Sequence, residues 1–273
     1  VAAQLCPLAF GTQTIGSVIR PAAFCGVVGF KPSYGRLSTK GLIPLAPSLD
    51  HVGLFTADVE SANAAAMAVW DDWFPRFSSR WPVLGVPEGP YLSHASEEML
   101  EHFRDTCDWL SSRYRVRSVA AMPDYDKIVA RHHRLTAAEA AQVHAEWFPV
   151  YCELYAPQTV ELIERGQAVT PGQAGYDRGC RTRLRNQIVE LMDEHRIDLW
   201  LSPAAPGPAP HGLASTGSPV MNIPWTQAGL PTLTIPSGTS KNGLPLGLQI
   251  TGRWMEDAEL LDWSQEIARV VAL

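Results

Sequence analysis

Apolar positions along the chain follow two periods, and the alternation between them sets the fold class. "DVESANAAAMAVW", Asp58 to Trp70, has acidic residues in its first turn and then a run of alanines, which predicts a helix. "WPVLGVPEG" is a short apolar run closed by Pro and Gly, the pattern of a buried strand. From Ser96 to Arg113, Met99, Leu100, Phe103, Cys107 and Leu110 form one helical stripe, and "YRVRSV" then alternates as a strand does. Helical spacing returns across Tyr125 to Tyr151 and from Arg178 to His195, followed by a buried strand in "IDLWLSP". The segment from Ser202 to Gly247 is rich in Pro, Gly, Ser and Thr and predicts a loop layer around the apolar "LPTLTIP". "PLGLQITG" adds a strand and "EDAELLDWSQEIARVV" a closing amphipathic helix. Strands alternating with helices predict an α/β sheet with helices on its faces. The opening "VAAQLCPLAF" has neither methionine nor a capping residue and reads as entering midway through a helix or apolar run, so a cut end is expected.

Composition narrows the function classes. With 273 residues, 46% hydrophobic and 18% charged, the chain is long enough to bury a substantial core. A net charge of -6 argues against a nucleic-acid surface, which needs clustered cations. Arg181, Arg183 and Arg185 cluster beside Glu190, Asp193 and Glu194 and read as a solvated helix face. Five cysteines without a CxxC pair suggest neither a zinc knuckle nor a disulfide framework, and a reducing cytoplasm is the expected compartment. No apolar run reaches bilayer length unbroken, so no membrane segment is expected.

The candidate chemistry lies in "GTQTIGSVIRPAAFCG", Gly11 to Gly26. Gly16 lets the chain bend tightly, so the Ser17 hydroxyl can stand clear of it. The N–H groups of Thr14, Ile15, Gly16 and Ser17 can converge on an anion formed from an attacked carbonyl. The uncharged residues around them lower the local dielectric and strengthen those dipoles. Against this stands the plain alternative that a serine after glycine is a turn residue bonded to its own backbone. A nucleophilic serine also needs a base, and none of His51, His132, His133, His144, His195 or His211 has a diagnostic spacing to it. Metal-ligand spacing and phosphate-loop motifs are absent, so no metal and no cofactor are expected. Cys25 reads as a small buried apolar residue. Arg20 reads as holding the loop, and Asp50 as fixing a turn.

The stretch "GTQTIGSVIRPAAFCGVVGFKPSYGRLSTKGLIPLAPSLDHVG" closely resembles the signature region of the amidase signature family, hydrolases of carboxamide C–N bonds. "DLWLSPAAPGPAP" and "TGSPVMNIPWTQAGLPTLTIPSG...NGLPLGLQITG" resemble the later blocks of that family in the same order. The resemblance implies a mixed β-sheet core covered by helices on both faces and one amidase signature domain over residues 1–273. Within it, the nucleophile loop is 11–26, the variable middle 58–197 and the C-terminal blocks 198–252.

The resemblance further implies a relay of serine, cis-linked serine and lysine. Ser17 falls on the nucleophile, with Thr14, Ile15, Gly16 and Ser17 supplying the oxyanion-hole N–H groups. Ile15 departs from the glycine of the commoner pattern, and a β-branched residue there requires a turn with φ < 0. A lysine acting as base near neutrality must have its pKa lowered by roughly three units, about 4 kcal/mol, through desolvation. In the family the lysine and second serine lie upstream of the nucleophile, and none of Lys31, Lys40, Lys127 or Lys241 matches them. The expectation is therefore a C-terminal portion of a longer amidase, inactive alone. Thr216, Asn222, Trp225 and Gln227 are candidate pocket residues. The expected partners are a small-molecule amide and either a homodimer mate or an amidotransferase partner protein. The alternative is a non-catalytic binding or assembly subunit on the same fold.

Overall fold

The computed structural model describes residues 1–272. Its centre is an eight-stranded mixed sheet, with β1 (Leu8–Gln13), β2 (Val28–Lys31), β3 (His51–Thr56), β4 (Val83–Glu88), β5 (Arg115–Ala120), β6 (Leu199–Pro203), β7 (Thr232–Thr239) and β8 (Pro245–Thr251). Their spatial order is β1-β3-β2-β7-β8-β6-β4-β5; β4 runs parallel to β5 and β6, and the remaining neighbours are antiparallel. The expected α/β class and mixed sheet are present. Helices flank the sheet: α1 (Ile19–Cys25), α2 (Val59–Val69), α3 (Glu97–Ser111), α4 (Tyr125–Val143), α5 (Phe148–Tyr151), α6 (Pro157–Gln167), α7 (Pro171–Glu194), α8 (Ile223–Ala228) and α9 (Asp257–Val271). None is long and apolar enough to cross a membrane.

The two faces of β2 show how the sequence seats the helices. Phe30 points to one face and packs against Trp70 and Trp73 at the end of α2. Gly29 points to the other, where a Cβ would lie 2.5 Å from the Ala22 Cβ of α1. Gly247 on β8 does the same beneath Ala23, at 2.6 Å. Strand glycines facing helix alanines thus let α1 settle directly onto the sheet, which fixes the position of the turn that enters it.

Several elements differ from the sequence reading. The opening residues, read as the middle of a helix or an apolar run, form no helix and lead into edge strand β1 at Leu8. The helix expected over 125–151 ends at His144, and α5 follows as a separate piece. α7 starts at Pro171 with Thr170 as its N-cap, seven residues before Arg178. The 202–247 layer holds a full strand, β7, and the buried helix α8. Arg181 is buried over the ring of Tyr34 at 4.3 Å, and Arg185 stacks on Trp254 at 4.1 Å; only Arg183 has the solvated position expected of all three. Their stems and planar heads cover aromatic surface, which charge counting does not reveal. Cys25 is exposed, because it ends α1 on the side away from the sheet.

Candidate active site

Ser17 lies in the tight turn between β1 and α1, exposed, while its neighbours Gly16 and Val18 are buried. Gln13, the last residue of β1, organises this turn. Its Oε1 accepts the N–H groups of Val18 (2.8 Å) and Ile19 (3.0 Å), which satisfies the orphan donors at the start of α1. Its Nε2 donates to Thr226 Oγ1 at 2.8 Å, and Thr226 Oγ1 donates in turn to the Ile15 carbonyl at 2.7 Å. On the other flank Thr14 Oγ1 donates to Asp50 Oδ1 at 2.6 Å, while Asp50 Oδ2 accepts from the N–H groups of Leu45 and Ala46. His132 Nε2 donates to the Thr14 carbonyl at 3.1 Å.

Gly16 sits against α8's approach. A Cβ there would lie 2.3 Å from Asn222 Oδ1 and 3.0 Å from Pro219 Cβ. Asn222 cannot swing aside freely, because its Nδ2 donates to the Ala204 carbonyl (2.9 Å) and to Gln249 Oε1 (2.8 Å). Gln249 is itself tied to Ser202 Oγ at 2.8 Å and to the Met221 carbonyl at 3.1 Å. Asn222 Oδ1 is buried and has no hydrogen-bond partner among the described residues.

The sequence-derived candidates therefore separate. Thr14, Ile15, Gly16 and Ser17 form the turn, and Asn222 abuts it. Thr216 is exposed and connected to α1 through Arg20, whose guanidinium donates to Thr216 Oγ1 (3.2 Å) and the Gly217 carbonyl (2.8 Å). Trp225 is interior, with its indole N–H on Tyr91 Oη at 2.9 Å, and Gln227 is buried on the same helix. Gln13, His132 and Thr226 were missed as turn residues. Gln13 was open to discovery as the one long polar side chain between Gly11 and Val18; His132 and Thr226 reach the turn from 118 and 211 residues away.

Protonation states follow from burial. His132 is pushed down to about 3 by desolvation, with the neighbouring His133 adding to the effect, so the ring is neutral near pH 7. His51 is also driven well below its ordinary range by burial, and its Nδ1 contacts the Leu49 carbonyl at 2.6 Å rather than Ser17. Lys31, fully buried, is lowered to about 7 by desolvation; its Nζ donates to the Leu230 (2.6 Å) and Pro32 (3.1 Å) carbonyls, not to Ser17. Among the described residues, no side chain is hydrogen-bonded to Ser17 Oγ, and no protein acceptor takes the N–H groups of Ile15, Gly16 or Ser17. An unoccupied hydroxyl thus adjoins a short run of free main-chain donors, a chemistry suited to accepting an acyl group and stabilising the anion formed from its carbonyl.

Residues 1–261 match the sequence profile of the family described as Amidase. The chain belongs to that family. It is 30% identical to a glutamyl-tRNA(Gln) amidotransferase subunit from Bartonella tribocorum (strain CIP 105476 / IBS 506), across 93% of this chain and 61% of the relative. A crystal structure of an amidase superposes with a TM-score of 0.87 at 31% identity, covering 94% of this chain and 61% of that one. The peptide amidase of Stenotrophomonas maltophilia shares the fold, with a TM-score of 0.78 at 23% identity over the whole chain and 64% of its own. The chain thus spans about 61% of the length of the curated relative it matches.

Proposed function

We propose that this chain carries the acyl-accepting half of an amide hydrolase centre, with Ser17 as the nucleophile and the N–H groups of Thr14, Ile15, Gly16 and Ser17 as donors to the oxyanion. The Ser17 turn supports this most directly: among the described residues, an exposed hydroxyl without a hydrogen-bond partner lies beside main-chain N–H groups without protein acceptors. In this reading Ser17 Oγ attacks the amide carbonyl and its proton passes through a cis-linked serine to a neutral lysine. The relay then protonates the departing amine, and water clears the acyl-enzyme. The reading assigns the relay serine and lysine to sequence that the relatives possess beyond the matched length, since Lys31, the lysine titrating near 7, is committed to two carbonyls. The chain alone is then inactive, and the substrate is a small-molecule amide.

Ser17→Ala in the longest natural polypeptide containing this chain tests the reading. Amide hydrolysis should fall by roughly 10³-fold or more, the usual cost of losing a covalent nucleophile; turnover unchanged by the substitution would overturn it. A second reading draws on the curated relatives from Bartonella and Thermodesulfovibrio, which are amidotransferase subunits. There the fold would serve within an assembly, and specific ligand binding without hydrolysis in the complete polypeptide would favour it.

A further inference from the structure

Three carbonyl oxygens of the Ser17 turn are each claimed by a donor from a different element. His132 on α4 takes the oxygen of Thr14 (3.1 Å) and Thr226 on α8 takes that of Ile15 (2.7 Å). The N–H of Arg20, in the first turn of α1, takes that of Gly16 (3.0 Å). A trans peptide plane carries its carbonyl oxygen and the next N–H on opposite sides. Holding the Thr14 oxygen against α4 therefore turns the Ile15 N–H away from α4, and holding the Ile15 oxygen on Thr226 turns the Gly16 N–H away from α8. The Gly16 oxygen, drawn along α1, leaves the Ser17 N–H directed off the start of that helix.

We infer that His132 and Thr226 are positioning residues that aim the N–H groups of Ile15 and Gly16 at the anion formed during acyl transfer, an inference that rests on Ser17 being the nucleophile. The bond directions are determined by chemistry. A carbonyl only accepts, so the His132 ring carries its proton on Nε2, and Nδ1 is left without a partner among the described residues. Thr226 Oγ1 accepts from Gln13 Nε2, which leaves its single proton for Ile15. Gln13 Oε1 meanwhile occupies the next two N–H groups, those of Val18 and Ile19, so among the described residues the donors left free in the turn are those at and before Ser17. Gln13, Thr226 and the turn close a ring that joins strand, helix and nucleophile.

The test is the kinetics of phosphonylation by a fluorophosphonate in the longest natural polypeptide containing this chain. Ser17 Oγ bonds to phosphorus as the P–F bond breaks and fluoride leaves with its electron pair; the hydroxyl proton passes to the relay base. The phosphoryl oxygen then occupies the site offered to an oxyanion. Thr226→Val and His132→Leu should each slow the maximal labelling rate about tenfold or more with the half-saturating concentration unchanged, by analogy with loss of oxyanion donors. Thr226→Ser and His132→Gln, which keep a donor, should label within about twofold of the parent. Each comparison is made between variants whose unfolding midpoints match the parent, and either pair suffices. Parent-like labelling of the donor-deleting variants, or equal slowing in the donor-keeping ones, would overturn the inference while leaving Ser17 as nucleophile. Failure of the unsubstituted polypeptide to label at Ser17 would remove the reading beneath it.

Discussion

Gly16 is the residue at which the turn has no freedom left. Its missing Cβ would overlap Asn222 Oδ1 at 2.3 Å, and Asn222 is held by two hydrogen bonds to groups that are themselves buried. Gly16→Ala should therefore cost about 2 kcal/mol or more, as overpacking of a rigid site does. Asn222→Ala will also destabilise, because it strips the Ala204 carbonyl and Gln249 of a donor. The double variant should be less destabilised than the two single costs added together, with a coupling of about 1 kcal/mol or more in urea unfolding. Strict additivity would mean that the contact does not constrain the turn. The sequence pointed to Gly16 as the residue that lets the chain bend tightly beside Ser17; its packing partner 206 positions later was beyond the reach of any local pattern.

At the scale of elements, α4 docks on the turn through a histidine that must stay neutral. Burial lowers His132 to about 3, below the 6.5 it has when unfolded, so the unfolded chain takes up the proton first as pH falls. Its contribution to stability is complete above pH 6.5 and is lost progressively as pH drops from there toward 3. At pH 5 the loss amounts to about 2 kcal/mol relative to pH 7. Urea unfolding at both pH values should show a larger decrease for the parent than for His132→Gln, and equal decreases would contradict the assignment. Elements were legible where apolar side chains make the contact. α3 and α9 each bury a regular stripe, from Met99 to Leu110 and from Leu260 to Val270, and their ends were read nearly in place. α6 was not legible, because it buries only Ile163 and a glycine, and Gly166 packs against α4 so closely that a Cβ would be 1.9 Å from the Ala137 carbonyl. A glycine contact leaves little apolar periodicity to detect. β1 escaped for a related reason, since it is an edge strand whose residues are mostly half-buried or exposed.

For the whole molecule, the sheet brings together parts of the chain that sequence alone kept apart. Antiparallel pairing of β2 with β7 lays the Ser17 region beside the C-terminal blocks, so α8 and its preceding turn can supply Thr226 and Asn222 to the Ser17 loop. The ordered blocks of the family resemblance are thus one contiguous structure, with the middle segment contributing α4 and His132 to it. Lys31, buried within this frame, joins the end of β2 to the segment between α8 and β7 and acts as a brace. The proposed chemistry depends on which hydroxyl accepts the acyl group. The most direct measurement is to treat the longest natural polypeptide containing this chain with a fluorophosphonate and locate the adduct by peptide mass spectrometry. One modified residue, Ser17, is expected, with the mark gone in Ser17→Ala; an adduct at another side chain with Ser17 unmodified would contradict the assignment.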